Sequence, residues 1–415
     1  MKIPDEVIVK AVEKFGTPLY LYSEEEVRER CRFLQAVAKK HYPRCFIAYA
    51  YKANSNPALC KIIHEEGLGA EVVSGGELYT ALKLGLKASR IVFDGVSKTL
   101  DEIEMAVTNE IKLLNVESLD EIKVVGKVAR RCNRKISLGV RLNLGVEVST
   151  HDKIATGGRS HKFGLDYRFA LKAIKEIVGN SFLEWSGIHF HLGSQIFSPT
   201  PYLQALSKVA SILRESYEKL GALPSVIDVG GGFGVSYSDE KQDPDLEIFF
   251  REIGGKVSEI FSELGSDPPE LIIEPGRYIV AKAGILVSRV NYIKENFGRR
   301  WLLVDAGMND FIRPMLYGAK HRIRVIGGRH KVYEKYCIGG PVCESTDVMA
   351  VDLELPRVKP GNLIAILDAG AYGYSMASNY NMRPRPPEVL FTEKGELKLI
   401  RRRETWEDLL SLAIL

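Results

Sequence analysis

The sequence predicts an α/β protein, a (β/α)8 barrel joined to a second, mostly β domain. Three observations carry that expectation. From residue 45 to 274, eight short strand-like runs alternate with helical stretches. From about 280 onward the long helical periodicity stops, and short apolar runs alternate with Gly, Pro and charged turns. An apolar LYLY run at 19–22 lies outside the alternation. Strictly alternating strands and helices argue for a parallel sheet, and eight units over some 250 residues argue for closure into a barrel. An open doubly wound sheet is the alternative.

The elements follow in order. A helix is expected near 4–15, then the LYLY strand, then Ser23 with Glu26 three residues on, a capping-box signature opening a helix to about Lys40. CFIAYAY (45–51) is the first barrel strand, and its aromatic, β-branched composition reads as buried. The remaining strands fall at 69–73, 90–94, 111–116, 136–142, 185–190, 226–229 and 271–274. Helices fall near 57–66, 75–84, 99–109, 118–131, 166–178, 201–220 and 244–264, with the 24–40 helix filling the eighth place in the outer ring. The barrel is therefore expected to span 24–280. Residues 281–415, joined by 1–23, form a β-sandwich or open barrel, with strands from GILVSRVNYI, RWLLVDAG, NLIAILDAG and PEVLF.

Composition narrows the function. Net charge is only +4, from 57 basic and 53 acidic residues, which argues against nucleic acid or an anionic membrane as partner. No apolar run reaches membrane-spanning length, and the N-terminus lacks a signal-peptide core. The six cysteines (31, 45, 60, 132, 337, 343) are scattered without a Cys-x-x-Cys pair, as expected of reduced thiols in a cytoplasmic enzyme.

Barrel chemistry sits at the carboxyl ends of the strands. Those ends carry Lys52 (first), Asp94 (third), Arg141 and Asn143 (fifth), His189 and His191 (sixth), Gly230–Gly234 (seventh) and Glu274-Pro275-Gly276-Arg277 (eighth). A lysine closing an apolar strand is costly to desolvate without a partner or a covalent use, although lysines often snorkel out of strand ends. Glycines after strand seven, followed by Arg277 after strand eight, suit a phosphate, though GGGFG by itself is often only a tight turn. Lysine, phosphate cradle and acid together describe a pyridoxal phosphate (PLP) site. Lys52 would hold the aldehyde, Glu274 would keep the pyridine nitrogen protonated, and His191 would stack on the ring. His189 and His191, two residues apart, would share a strand face and offer a metal pair. No further histidine falls at a strand end, so no metal is expected, and His189 reads as structural. In the second domain, GGPVCESTD (339–347) places Cys343 and Glu344 in a polar loop, where a thiol suits acid/base work better than core packing. RPMLYG (313–318) offers Arg313 and Tyr317 for a substrate carboxylate, and GAYGYSMASNYN carries Tyr372 in a loop too polar for core.

Taken in order, YAYKAN, HFHLGSQ, DVGGGFG, EPGR, GPVCES and SMASNYN resemble the fold-type III PLP decarboxylases, and among them the diaminopimelate decarboxylases. The likeness runs from FGTPLYLYSE (15–24) to RPRPPEVL (383–390). It implies decarboxylation of meso-2,6-diaminoheptanedioate to L-lysine by a homodimer with shared active sites. In that arrangement the Cys343 segment of one subunit reaches the Lys52 pocket of the other. It further implies that Ser194, Gly230, Gly231, Gly232, Gly276 and Arg277 serve the cofactor's phosphate side and that Cys343 donates a proton. Arg277, Arg313, Tyr317, Glu344 and Tyr372 would meet the substrate's distal amino-acid end, with Tyr372 also touching PLP. Related ornithine decarboxylases carry an aspartate after the tyrosine matching Tyr317, where this chain has Gly318. The alanine racemases of this fold type carry arginine where this chain has Glu274. After strand five the family commonly has Asn-Pro, whereas Leu144 takes the proline position here, a departure that bears on the 143–164 loop and on substrate choice. The rival functions are the same chemistry on another amino acid, a catalytically silent regulator, and a phosphate-binding barrel without PLP.

Overall fold

The computed structural model describes residues 3–147, 161–238, 242–328 and 332–414. Its contacts divide the chain into two compact units, one of residues 30–235 and 243–276, the other of residues 1–29, 236–242 and 277–415. The expected loop at 143–164 lies largely outside the described residues, which stop at 147 and resume at 161.

The first unit is a closed parallel barrel. Its eight strands are Cys45–Ala50, Gly69–Val72, Ile91–Phe93, Leu113–Val116, Ile136–Asn143, Leu183–His189, Val226–Asp228 and Glu270–Ile273. They pair in sequence order, and the first strand pairs with the eighth to close the ring. A two-residue strand, Leu165–Asp166, is added alongside Leu142 and Asn143. Side chains from alternating pleats plug the interior: Ala48, Val92, Leu113, Val226 and Ile272 form one buried cluster, with Phe46 against it. The helices start where capping chemistry dictates. Asn56, Ser74, Thr99 and Ser118 each accept a backbone N–H of the following first turn, and Thr99 with Glu102 completes a capping box. These caps sit just after strand ends, so the same residues that start the helices fix the loops that carry the chemistry.

Two boundaries differ from expectation. The first strand ends at Ala50, and Tyr51–Ala53 form a single 3₁₀ turn, so Lys52 sits on a turn rather than on the strand tip. The helix expected at 166–178 begins only at Ala170, because Tyr167–Phe169 form a 3₁₀ turn started by the Asp166 side chain accepting from Arg168 N–H.

The second unit is built on a nine-stranded mixed sheet. The LYLY run joins it as Leu19–Ser23, antiparallel to Gly284–Asn296 and parallel to Glu388–Phe391. The helix Asp5–Phe15 lays Ile8, Ala11 and Val12 onto Leu19, Leu21, Ile285, Val287 and Val389. The opposite pleat buries Tyr20 and Tyr22, whose hydroxyls donate to the Asp310 carbonyl and the Glu388 carboxylate. Four strands of this sheet, Ile323–Val325, Tyr333–Gly339, Val348–Pro356 and Leu397–Arg401, are not among the apolar runs singled out by sequence; charged residues interrupt each of them. Among the described residues, no helix is long and apolar enough to cross a membrane.

Candidate active site

In the barrel unit, strand register gathers charged side chains at one end. Glu71 on the second strand pairs with Ala50, two residues before Lys52. Lys52 Nζ donates to both Glu71 carboxylate oxygens at 2.8 Å, and Glu71 is fully buried. Burial pushes the Glu71 carboxyl up to about 7; Lys52 opposes that and Asp94 adds to it. On the third strand's end, Asp94 accepts from Asn115 Nδ2 at 2.6 Å and lies 3.4 Å from His189 Nε2. Burial works against its charge, but His189, Arg141 and Lys52 outweigh burial and hold Asp94 below the usual carboxylate range. His189 Nε2 is also 3.7 Å from Glu274. Asp228, which pairs in register with His189, accepts from Gly230 N–H at 3.0 Å.

Glu274 ends this series. Both its oxygens are buried, no N–H or hydroxyl among the described residues donates to either, and the neighbouring Asp228 carboxyl is placed to share a proton with it. Burial, then Asp94 and Glu71, push its carboxyl well up; burial and Glu274 do the same to Asp228. Candidate ligand atoms of Asp94, His189 and Glu274 lie within 4.8 Å of one another, spacing a metal ion could also use. The His189–His191 pair of the competing metal reading is not the grouping found: the strand stops at His189, and His191 accepts from Gly231 N–H through Nδ1 at 3.2 Å. Burial and the nearby Lys52 push the His191 imidazole well below its ordinary value, so it is neutral.

The glycines after strand seven have steric work. Gly230 and Gly232 have φ of +69° and +104°, which favour glycine, and a Cβ on Gly231 would stand 2.0 Å from the Glu274 carbonyl oxygen. Tyr202 Oη donates to the Gly231 carbonyl, and the Ile196 N–H donates to that of Gly232. Gln195 braces the same loop by bonding both backbone groups of Val235. Ser194 lies in the neighbouring loop, and Gly276 packs where a Cβ would press on Ala50 and Ala53. A buried acid without an N–H donor, a neutral imidazole and a side-chain-free loop fit a phosphorylated cationic ring: acid to ring nitrogen, imidazole to ring face, backbone to phosphate.

The second unit holds a separate group of arginines and aromatics. Arg277 Nη1 donates to Tyr237 Oη at 2.6 Å, and its guanidinium lies 4.7 Å from the Tyr372 ring centroid. Arg313, also buried, lies 5.7 Å from the Tyr372 ring and 5.6 Å from that of Tyr317. Burial, then repulsion from Arg277, lower the Arg313 affinity for its proton. Tyr372 has φ of +56°, an uncommon left-handed geometry costing about 1–2 kcal/mol for a side chain of this kind. Such strain is a recurrent mark of functional positions. Cys343 is exposed, its N–H donating to Asn381 Oδ1, and Tyr380 Oη reaches Glu344 at 3.5 Å. Asp347 ties this loop by accepting from Val342 and Met308 N–H. A cavity of about 640 Å³ lies beside it, lined by Phe297, Trp301, Glu344 and Ser345 among others.

Comparison with known proteins decides the family. Residues 6–281 match the pyridoxal binding domain of pyridoxal-dependent decarboxylases. The diaminopimelate decarboxylase of Aquifex aeolicus is 42% identical over 398 residues, covering 95% of this chain and 91% of that protein. The chain belongs to the diaminopimelate decarboxylase family. Solved structures agree: the Helicobacter pylori enzyme complexed with L-lysine superposes with a TM-score of 0.89 at 39% identity, covering 98% of each chain. The Methanocaldococcus jannaschii enzyme superposes at 0.91, with 38% identity over 98% of this chain and 94% of that one. The protein is thus an enzyme, a PLP-dependent decarboxylase, and its barrel is the cofactor-binding fold of that family.

Within each unit, the structure brings together the residues singled out in sequence. Lys52, His191, the 230–232 glycines and Glu274 share the barrel's strand ends; Arg277, Arg313, Tyr317 and Tyr372 share the second unit. Sequence reasoning missed Glu71, Asp228, Tyr237 and His321. A glutamate inside the apolar run GAEVV was the available signal for Glu71. Leu144 is buried, with its carbonyl accepting from Lys208 Nζ at 2.6 Å.

Proposed function

We propose that this enzyme removes CO2 from the D-centre of meso-2,6-diaminoheptanedioate, giving L-lysine, and that the residues named above divide the work. The observation that carries this reading is the Arg277–Arg313 pair on one tyrosine ring. Two guanidinium groups suit a carboxylate that stays on the substrate after the reaction. A diamino acid with a single carboxyl, such as ornithine, has none left to offer them.

When bound, PLP supplies an aldehyde for amine condensation and a protonated ring that accepts an electron pair. Lys52 would be the amine that holds the aldehyde, its ammonium being paired with both Glu71 oxygens beforehand. Glu274 keeps the proton on the ring nitrogen, where burial already favours sharing one. Neutral His191 would pack against the ring, and Ser194, Gly230, Gly231, Gly232, Gly276 and Arg277 would serve the phosphate side. Loss of CO2 leaves an electron pair on the former D-carbon, and Cys343 Sγ supplies the proton that ends up there. Arg277, Arg313, Tyr317, Glu344 and Tyr372 bind the distal end, the arginines and tyrosines its carboxylate and Glu344 its ammonium. Analogues lacking these charges are rejected because they leave a buried charge unpaired.

The working unit is a homodimer in which the Cys343 segment of one subunit reaches the Lys52 pocket of the other. The exposure of Cys343 and Glu344 in this chain supports that reading. The division into a barrel of 24–280 and a β domain of 1–23 plus 281–415 accompanies it. The six free thiols support a cytoplasmic setting. The test is lysine and CO2 release from meso-diaminopimelate by PLP-loaded enzyme, with L-ornithine alongside. Equimolar products from diaminopimelate alone support the reading, and turnover of ornithine contradicts the distal-end assignment.

A further inference from the structure

Two side chains left without a role above, Tyr237 and His321, hold the arginine pair. Tyr237 Oη accepts from Arg277 Nη1 at 2.6 Å, while its ring faces Arg313 at 5.9 Å. The His321 ring packs on Tyr237 with centroids 4.4 Å apart. His321 Nδ1 lies 2.9 Å from the Leu367 carbonyl oxygen, which can only accept, so Nδ1 carries the proton. Nε2 is then the ring's acceptor, and it receives a long hydrogen bond of 3.4 Å from Arg313 Nε. Burial and the neighbouring Arg313 push the His321 imidazole down to about 3, which keeps it neutral across the physiological range.

No carboxylate among the described residues pairs with Arg313; its partners are an imidazole nitrogen and three tyrosine rings. Buried arginines usually sit against acids, which would neutralise them. Neutral acceptors and ring faces fix the Arg313 guanidinium plane without cancelling its charge. We infer that Tyr237 and His321 are positioning residues for dicarboxylate recognition, orienting Arg277 and Arg313 through neutral contacts so that the charge of Arg313 remains for the substrate's distal carboxylate. This inference rests on the proposed distal-end role of the arginines, so Arg313→Ala runs beside the test variants.

Tyr237→Phe keeps the ring and removes only the hydroxyl; His321→Ala removes the acceptor, and His321→Gln returns one. With PLP-loaded enzyme, Tyr237→Phe and His321→Ala are each expected to raise KM for meso-diaminopimelate, and the calorimetric Kd for L-lysine, about tenfold, the loss of one charge-assisted hydrogen bond. Because the contact is made equally in ground and transition states, kcat should move by less than about threefold. Cofactor absorbance should be unchanged, and His321→Gln should recover most of the loss. If Arg313→Ala raises KM while both test variants keep KM and Kd near wild type, the inference is overturned and the distal-end reading stands. If the test variants lose kcat, cofactor absorbance and melting temperature together, or His321→Gln recovers nothing, the role is structural and the inference is again overturned. If Arg313→Ala itself leaves KM unchanged, the distal-end reading falls and takes the inference with it.

Discussion

The Lys52 pocket of the barrel and the arginine group of the second unit meet opposite electrostatic demands in different ways. At the strand ends, four carboxyls (Glu71, Asp94, Asp228 and Glu274) gather around Lys52, Arg141 and the buried His189. Around Arg313, the charge is held by neutral groups: an imidazole acceptor and tyrosine rings. Burial raises three of the four carboxyls, while neighbouring cationic groups hold the fourth, Asp94, down, so the first region is built from groups that can take up or release protons. The second keeps fixed positive charge, because guanidinium groups do not shed their protons. A region that must exchange protons is thus built from carboxyls raised toward neutrality, and a region that must only recognise is built on guanidinium groups that keep their charge.

The most severe way to break the first region is Lys52→Ala. Covalent cofactor attachment should vanish and activity fall to background, read as loss of the protein-bound absorbance and of a borohydride-reduced mass adduct. A retained adduct would move the attachment to another residue. Glu274→Gln should leave the cofactor bound but lower kcat on the order of 10²–10³-fold, the usual cost of removing one preorganised electrostatic contact. An unchanged kcat would mean that the ring nitrogen draws its proton from elsewhere. Glu71→Gln keeps the shape but takes away the acid that holds Lys52. Lacking that opposite charge, Lys52 should release its proton more readily and capture PLP about tenfold faster at neutral pH, measured by stopped-flow absorbance.

The smallest effect separates the regions by pH. Glu71, Asp228 and Glu274 bind protons more readily folded than unfolded. The contribution of Glu71 to stability is therefore full below about pH 4.5 and lost as pH rises through about 7, and those of Asp228 and Glu274 are lost in the same direction, as pH rises. His321 has the opposite sign. Its pKa is depressed from 6.5 to about 3, so its contribution is present above 6.5 and lost as pH falls. In cofactor-free protein, Glu274→Gln should flatten the alkaline side of the melting-temperature profile and His321→Gln the acid side, each by a few degrees. Both variants altering the same side would show that the two regions do not titrate independently.

Much of this was legible in the sequence, for identifiable reasons. Strand and helix alternation is a local signal, and it placed all eight barrel strands and the residues at their ends. LYLY was recognisable as foreign to the barrel because the eight strands between 45 and 274 complete the count without it. What stayed hidden is what depends on cross-strand or tertiary contact. Glu71 sits in an apolar run and acquires meaning only through register with Ala50. Tyr237 and His321 are 84 positions apart and meet only as stacked rings. Lys52 looked like a strand tip because Tyr51 continues the aromatic pattern, whereas the backbone has already turned into a 3₁₀ helix.

The central claim is that the second unit's fixed positive charge selects a substrate with a carboxylate to spare. The most direct test compares kcat/KM for meso-diaminopimelate and for D-lysine, which keeps the reacting centre but lacks the distal carboxylate, in wild type and in Arg313→Ala. The account predicts that the substitution lowers the diaminopimelate value on the order of 10²-fold, as truncation of a buried charge pair does, with little change for D-lysine. Equal losses on both substrates, or none on either, would contradict it.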